Sequence, residues 1–403
     1  MNQPDLRYVL PFFQPIVSAD DLKVFAYEVL GREVRNGHVQ SLGPYFQSKA
    51  VSDVDKLVVD RHIRLLALKK FAELGLQTKL FMNLKPSWIL FGEGQKGEAG
   101  ESESTILSMI ASLGLDPENI VVEITEEELF ADIDEFTGLL ANYRRLGCLL
   151  AIDDFGKGSS SIERIAYVNP DIVKIDRSIV RRMDSHRSFF DICLAMASFG
   201  DIAGFDLLFE GVETPYQLER CVAARGRYFQ GSIFARAESE PRNDFADRDL
   251  LNSILSIKAA HDMVKIRYHN QIARKIEEAV EHLRWLIPNN KQELADPQAL
   301  LILAEELPYY CIRCFVCDTK GQQLSYVYHK TSHGAAAVDA NHGIPWFFRD
   351  FFTRGLTALS DGRRGYLSKI YKDVMTKENV ATYMHALSNE RFLCVDIIST
   401  VLT

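Results

Sequence analysis

A chain of 403 residues, 47% of them hydrophobic, has ample apolar material for a large core and predicts two or three domains. Its formal net charge of −9 argues against general nucleic-acid affinity, which rests on lysines and arginines neutralising many phosphates. No apolar run approaches bilayer length, and Met1-Asn2-Gln3-Pro4-Asp5 lacks the basic-then-apolar layout of a signal peptide, so a cytosolic chain without a membrane partner is expected.

From the N-terminus to about residue 240, short β-like apolar runs alternate with stretches long enough for a helix. Phe12-Phe13-Gln14-Pro15-Ile16-Val17 is followed by Ala26-Tyr27-Glu28-Val29-Leu30-Gly31-Arg32 and Leu80-Phe81-Met82-Asn83-Leu84. Ile120 to Glu126, Leu149 to Gly156, Ile172 to Asp176, Leu207 to Thr214 and Tyr228 to Gly231 complete the set. Such alternation predicts parallel βαβ units in an α/β fold, and its span suits a TIM-like (β/α) barrel over residues 1–240. Between the third and fourth runs, Gly92 to Glu101 is glycine-rich and charged and reads as a surface loop.

After Pro241 the next proline is Pro288, and Leu251, Ile254, Ile272, Ile276, Val280, Leu283 and Ile287 recur at helical spacing. Residues 241–290 are therefore expected to form a helical connector, its apolar stripe packing either on the barrel or on a second subunit. A helix near Ala295 to Leu307 opens the last segment, 291–403. Strands are predicted at Tyr310 to Cys317, Gln322 to His329, Gly365 to Tyr371, Val380 to Leu387 and Phe392 to Ile398, with turns at Asp318 to Gly321 and Ser388 to Glu390. An α+β, PAS-like domain with one antiparallel sheet is the expected architecture.

The chemistry is concentrated in the first part. Glu28, Asn83, Glu123, Asp153 with Asp154, Lys174, Glu210 and Gln230 each stand at the end of an apolar run. A buried strand gains nothing from an unpaired charge there, and a (β/α) barrel converges catalytic groups on one mouth. Glu28, Asn83, Glu123, Asp153 and Asp154 are hard oxygen donors of the type that Mg2+ and Mn2+ prefer, and adjacent aspartates are tolerated best with a dication between them. A pair of ions bridged by Asp153 would suit in-line phosphodiester cleavage. Taken singly, each acid reads as a helix cap or surface pair, and only their recurrence in matching positions argues otherwise. Lys174 would stay charged among these acids, orienting water or neutralising phosphate, unless it is a structural ion pair. Glu210 is the better placed of Glu210 and Glu213 to meet a metal-bound water. Gly156, Gly158 and Ser159-Ser160-Ser161 form a polar loop just beyond the paired aspartates.

The spacing Cys311-x-x-Cys314-x-x-Cys317 resembles a metal run, but strand alternation would send Cys311 and Cys317 to one face and Cys314 to the other, which favours core packing. His329 and His333 read as loop or surface residues, and all seven cysteines as reduced thiols.

Through Glu28-Val29-Leu30 with Arg32, Phe81-Met82-Asn83-Leu84-Lys85-Pro86, Glu123-Ile124-Thr125-Glu126, Asp153-Asp154-Phe155-Gly156, Val173-Lys174-Ile175-Asp176, Glu210-Gly211-Val212-Glu213 and Gln230-Gly231, residues 1–240 resemble the EAL-domain cyclic di-GMP phosphodiesterases. The resemblance implies one Mg2+ or Mn2+ held by Glu28, Asn83, Glu123 and Asp153, and a second by Asp153 and Asp154. It implies that Lys174 holds the nucleophilic water with Glu210 assisting, and that Glu126 and Glu213 position the loop after Asp154. Arg32 and Gln230, with Leu30 and Pro44, would contact the cyclic di-GMP, and hydrolysis of one phosphodiester would give linear pGpG. The family's usual motif is met with one conservative change at Val29, and Gly231-Ser232-Ile233 departs from the common aromatic residue after the glycine. The last segment resembles the PAS-like C-terminal domain of YkuI-type EAL proteins, which implies a signalling helix, regulation of the barrel and a homodimer. The alternative class is a receptor that binds the dinucleotide with little or no turnover. A barrel hydrolase acting on another phosphodiester is a third.

Overall fold

The computed structural model describes residues 3–85, 106–124, 133–157, 162–286, 296–331, 334–338, 345–373 and 376–402. The predicted loop over 92–101, Pro86, Glu126, the segment 158–161, Ile287 and His333 lie outside the described residues. The chain divides into two compact units, Met1–Lys258 and Ala259–Thr403.

In the first unit, β1 (Val9–Ser18) turns back into β2 (Val24–Arg35), which runs on into a hairpin with β3 (His38–Ser41). Parallel strands β4 (Lys79–Leu84), β5 (Ile120–Ile124), β6 (Leu149–Phe155), β7 (Ile172–Ile175), β8 (Asp206–Phe209) and β9 (Tyr228–Phe229) follow, in spatial order β1-β9-β8-β7-β6-β5-β4-β2-β3. Because β1 also pairs with β2, eight strands close into a barrel and β3 hangs from its rim. β1 is antiparallel to both neighbours, a departure from the all-parallel reading. The cause is local, since the short turn between β1 and β2 has no room for the crossover that parallel pairing needs.

The helices between strands are α1 (Gly43–Gln47), α2 (Asp53–Leu74), α3 (Ile106–Ser112), α4 (Ile133–Arg145), α5 (Ile162–Val168), α6 (Arg177–Met183), α7 (Arg187–Ala203) and α8 (Pro215–Ala223). Their ends follow capping rules. Ser52 accepts from the Asp55 amide and left-handed Gly75 (φ 58°) terminates α2, while Thr214 caps α8 with Pro215 in its first turn. Apolar side chains such as Val59, Leu68, Leu80, Ile152 and Val173 fill the layer between helices and strands. A separate inner cluster of Ile16, Ala26, Phe81, Val121, Ala151, Ile172, Leu208 and Tyr228 plugs the barrel.

Helix α9 (Arg248–Leu286) extends over 39 residues, as the helical spacing without proline or glycine predicts. Leu251 belongs to the core of the first unit, and Ile272, Ile276, Val280 and Leu283 to that of the second. No described helix is long and apolar enough to cross a membrane.

The second unit adds α10 (Pro297–Glu306), β10 (Cys311–Asp318), β11 (Val327–Thr331), β12 (Gly334–Val338), α11 (Asp350–Ser360), β13 (Gly365–Leu367), β14 (Tyr371–Lys372), β15 (Asn379–Ala386) and β16 (Arg391–Ile398). Its antiparallel sheet runs β12-β11-β10-β16-β15-β13, with β14 also paired to β15. The strand expected from Gln322 starts only at Val327, because residues 318–325 make the turn and isolated bridges from Gln323 to Cys317 and from Gln322 to Pro345. His329 accordingly sits within β11, half-buried, rather than in a loop. The cysteine phase is also corrected. Cys311 and Cys314 pack in one core and Cys317 in another, since an irregularity between Cys311 and Arg313 shifts the strand's register. All seven cysteines are buried and without disulfides.

Candidate active site at the barrel mouth

Strand geometry explains how the polar residues meet. Successive side chains alternate faces, so residues two apart share one. Each inner-cluster residue of a parallel strand is followed two positions later by a polar one: Ala26 by Glu28, Phe81 by Asn83, Val121 by Glu123, Ala151 by Asp153, Ile172 by Lys174, Leu208 by Glu210 and Tyr228 by Gln230. The apolar plug thus carries a polar layer directly on its C-terminal side. Registers agree, since Asn83 stands opposite Glu123 across the β4–β5 pair. Glu28 is not at the end of its strand, because β2 continues past the mouth to hairpin with β3.

Lys174 stands at the centre of this layer with 1% of its surface exposed. Its Nζ lies 2.5 Å from Glu123 Oε1, 2.6 Å from Glu210 Oε1, 2.9 Å from Asp153 Oδ1 and 3.8 Å from Glu28 Oε1. One ammonium therefore faces four carboxylates. Burial opposes its charge, yet the attraction of Asp153, Glu123, Glu210 and Glu28 wins and holds Lys174 protonated well above the ordinary lysine range. Glu123 and Glu210 are pushed well above the usual carboxylate range, first by burial and then by neighbouring acids. Asp153 goes the other way. Its burial is outweighed by Lys174, which keeps it ionised.

Alternation along a strand should send Asp154 away from Asp153. Instead Asp154 adopts a left-handed backbone (φ 55°), and the β6–β7 register breaks between Ile152 and Phe155. That conformation costs a residue with a Cβ on the order of 1 kcal/mol. It gathers oxygens of Asp153, Asp154 and Glu210 to within 4.8 Å of one another. Asp154 also receives Lys157 Nζ at 2.7 Å, and its carboxyl is raised by burial and by Asp153.

The donor set suits a hard divalent cation. Every candidate ligand offers oxygen, and anionic charge exceeds the single ammonium. Moreover, Glu123 Oε1 and Oε2, Asp153 Oδ1 and Glu210 Oε1 are buried without a directed hydrogen bond, and three of them share the Lys174 ammonium as ion pairs. Buried oxygens left so are costly unless something else fills their lone pairs.

Around this centre, Leu30 and Arg32 share the face of Glu28 on β2, and Arg32 Nη1 donates to the Gly31 carbonyl at 2.9 Å. Leu42 N donates to that same carbonyl at 3.1 Å, bringing α1 and Pro44 beside β2. Gln230 does not point to open solvent. It is buried, and its Nε2 donates to Glu28 Oε2 at 2.6 Å. Glu213 directs its carboxylate to Arg181 on α6, at 2.9 and 3.1 Å. Helix α6 also supports the turn after Asp154, because a Cβ at Gly156 would come within 2.7 Å of Ile179. Gln14 was not anticipated. It lies opposite Glu28 and two residues before Ile16, and only the reversed direction of β1 brings it to the polar layer.

Residues 5–237 match the EAL domain family, and residues 245–402 match the YkuI_C family of EAL-domain associated signalling protein domains. YkuI of Bacillus subtilis, described as an uncharacterized EAL-domain containing protein, is 30% identical over 397 residues, 96% of this chain and 94% of that protein. The cyclic di-GMP phosphodiesterase RocR of Pseudomonas aeruginosa is 30% identical over 233 residues, 57% of each chain. The crystal structure of Bacillus subtilis YkuI in complex with substrate c-di-GMP and calcium superposes with a TM-score of 0.82 at 29% identity, over 98% of this chain and 97% of that one.

Proposed function

The chain belongs to the EAL-domain family, and from that premise we propose that its barrel hydrolyses cyclic di-GMP to linear pGpG. The observation that carries this reading is the polar layer itself: one ammonium among four carboxylates, three of them buried and Glu210 partly so, several of whose oxygens have no directed hydrogen bond. Glu28, Asn83, Glu123 and Asp153 would hold one Mg2+ or Mn2+, and Asp153 with Asp154 a second. Bound there, the ions would offset the phosphate's charge and make water nucleophilic near neutral pH. Lys174 holds the attacking water and balances charge growing on the phosphate oxygens. Glu210, raised in affinity for protons by burial, takes the proton from that water. Water adds to phosphorus, the P–O3′ bond breaks, the 3′-oxygen leaves as a hydroxyl on receiving the proton that Glu210 took, and the phosphate stays on the 5′ side. Arg32, with Leu30 and Pro44, would line the dinucleotide, and Glu213 would steady the loop after Asp154 through Arg181.

Residues 291–403 of the second unit, in this reading, sense a signal as a PAS-like domain and pass it to the barrel, residues 1–240, through the connector, 241–290. Incubation of the purified protein with cyclic di-GMP and Mg2+ or Mn2+ tests the proposal. Chromatography should show pGpG from the parent and none from Glu28→Ala or Lys174→Ala. A receptor without turnover is the second reading, favoured by the 2.7 Å Lys157–Asp154 ion pair, which occupies a carboxylate that the second ion would need. Saturable binding of the dinucleotide without product would select it.

A further inference from the structure

We propose that Gln230 is a positioning residue for Glu28, fixing that carboxylate for a divalent cation. The proposal rests on the reading of Glu28 as a metal ligand. Gln230 follows β9 immediately and is 3% exposed, and its Nε2 to Glu28 Oε2 hydrogen bond of 2.6 Å is buried.

Its backbone cannot drift. Gln230 N donates to the Phe209 carbonyl at 2.9 Å, and its own carbonyl accepts from Val212 N at 3.0 Å. The next residue is pinned as well, because a Cβ on Gly231 would fall 2.0 Å from the Val212 carbonyl oxygen. The amide is thus presented from a segment just after β9 that is hydrogen-bonded to the chain leaving β8.

The choice of side chain fits the task. Glu28 has one oxygen, Oε2, on Gln230 and the other, Oε1, turned toward Lys174 at 3.8 Å, the longest of that lysine's four carboxylate contacts. A neutral donor orients the carboxylate without cancelling the negative charge that a dication requires, as an arginine or lysine in its place would. Partners of this kind raise metal affinity by removing wrong orientations of the ligand before the ion arrives.

The experiment is a calorimetric titration of the full chain with Mn2+, alongside steady-state hydrolysis of cyclic di-GMP at saturating Mn2+. Gln230→Ala and Gln230→Met are compared with the parent, the methionine keeping the length while removing the donor. We expect both to bind Mn2+ roughly 10- to 100-fold more weakly and to need correspondingly more Mn2+ for half-maximal hydrolysis. Parent-like Mn2+ affinity in both variants overturns the proposal, and a raised KM would then make Gln230 a substrate contact. A parent that binds no Mn2+ overturns it too. A parent that binds Mn2+ without turnover, with weakened variants, upholds the positioning role and sinks the hydrolase reading instead.

Discussion

Each unit of this chain buries a cation among carboxylates, and the two networks are finished differently. In the sheet of the second unit, Arg313 spans Asp373 and Asp396, its Nη2 reaching Asp373 Oδ1 at 2.7 Å while its Nε contacts Asp396. Asp396 also accepts from the Thr382 hydroxyl at 2.5 Å, and Asp373 from the Thr376 amide and hydroxyl at 2.8 and 2.9 Å. None of the carboxylate oxygens of Asp373 or Asp396 is among the buried atoms without a hydrogen bond, whereas Glu123, Asp153 and Glu210 at the barrel mouth contribute four, three of them sharing the one Lys174 ammonium. A closed network pins strands and a loop to one another. An open one, with more anion than cation, is poised for something else to bind. Saturation, more than burial or charge, separates the functional cluster from the structural one.

The sharpest way to break this contrast is to remove each cation in turn. Lys174→Met should abolish measurable turnover, a loss of at least about 100-fold, and without metal should cost on the order of 3–5 kcal/mol of stability through uncompensated charge. Mn2+ should restore part of that stability, since the ion offsets the same acids. Arg313→Met should cost a similar amount, about 3–5 kcal/mol, with or without Mn2+. Urea unfolding in EDTA and in Mn2+ measures both. Equal rescue of the two variants would erase the distinction.

How much of this was visible in the chain depends on periodicity. A polar residue two positions beyond an apolar strand residue is legible wherever the strand is parallel, which is why Glu28, Asn83, Glu123, Asp153, Lys174, Glu210 and Gln230 stand out and share one layer. Gln14 was hidden because β1 runs backwards, so its signal precedes the apolar residue. The long helix was readable from unbroken three- and four-residue spacing, whereas β12 is Gly-Ala-Ala-Ala-Val, a composition with little strand preference. The hydrogen bond between Gln230 and Glu28 spans 202 positions and leaves no local trace. Nor does the left-handed turn at Asp154, since aspartate is read first for its charge.

That turn offers a finer test. Asp154→Gly removes a carboxylate and also relieves a φ of 55°. Glycine gives back some chain entropy on unfolding, so the net stability should be unchanged or higher by up to about 1 kcal/mol. Turnover should nevertheless collapse. Loss of stability together with turnover would mean that Asp154 belongs to a structural network like that of Arg313.

The smallest expected effect concerns an exception in the second unit. His385, on the opposite face of the sheet from Thr382, which donates to Asp396, is 4% exposed, and its Nδ1 has no hydrogen-bond partner. Its Nε2 lies 3.5 Å from Arg284 Nη2, and Glu277, Glu281 and Arg364 also act on it. Burial, reinforced by Arg284, holds its pKa below the ordinary histidine value of 6.5. A neutral imidazole tolerates an orphan nitrogen at modest cost, which a charged one would not. Above 6.5 folded and unfolded chains are both neutral here, and no penalty arises. As pH falls below 6.5, the unfolded chain takes up a proton that the folded chain refuses, so stability declines toward the folded pKa. Between about pH 7.5 and pH 5.5 the urea midpoint of the parent should fall relative to that of His385→Gln. His329, which burial and Arg313 depress in the same direction, contributes to the slope common to both chains, and the raised carboxyls of Asp60, Glu123 and Glu210 oppose it. An identical slope in parent and variant would show that this nitrogen, unlike the oxygens around Lys174, carries no energetic consequence.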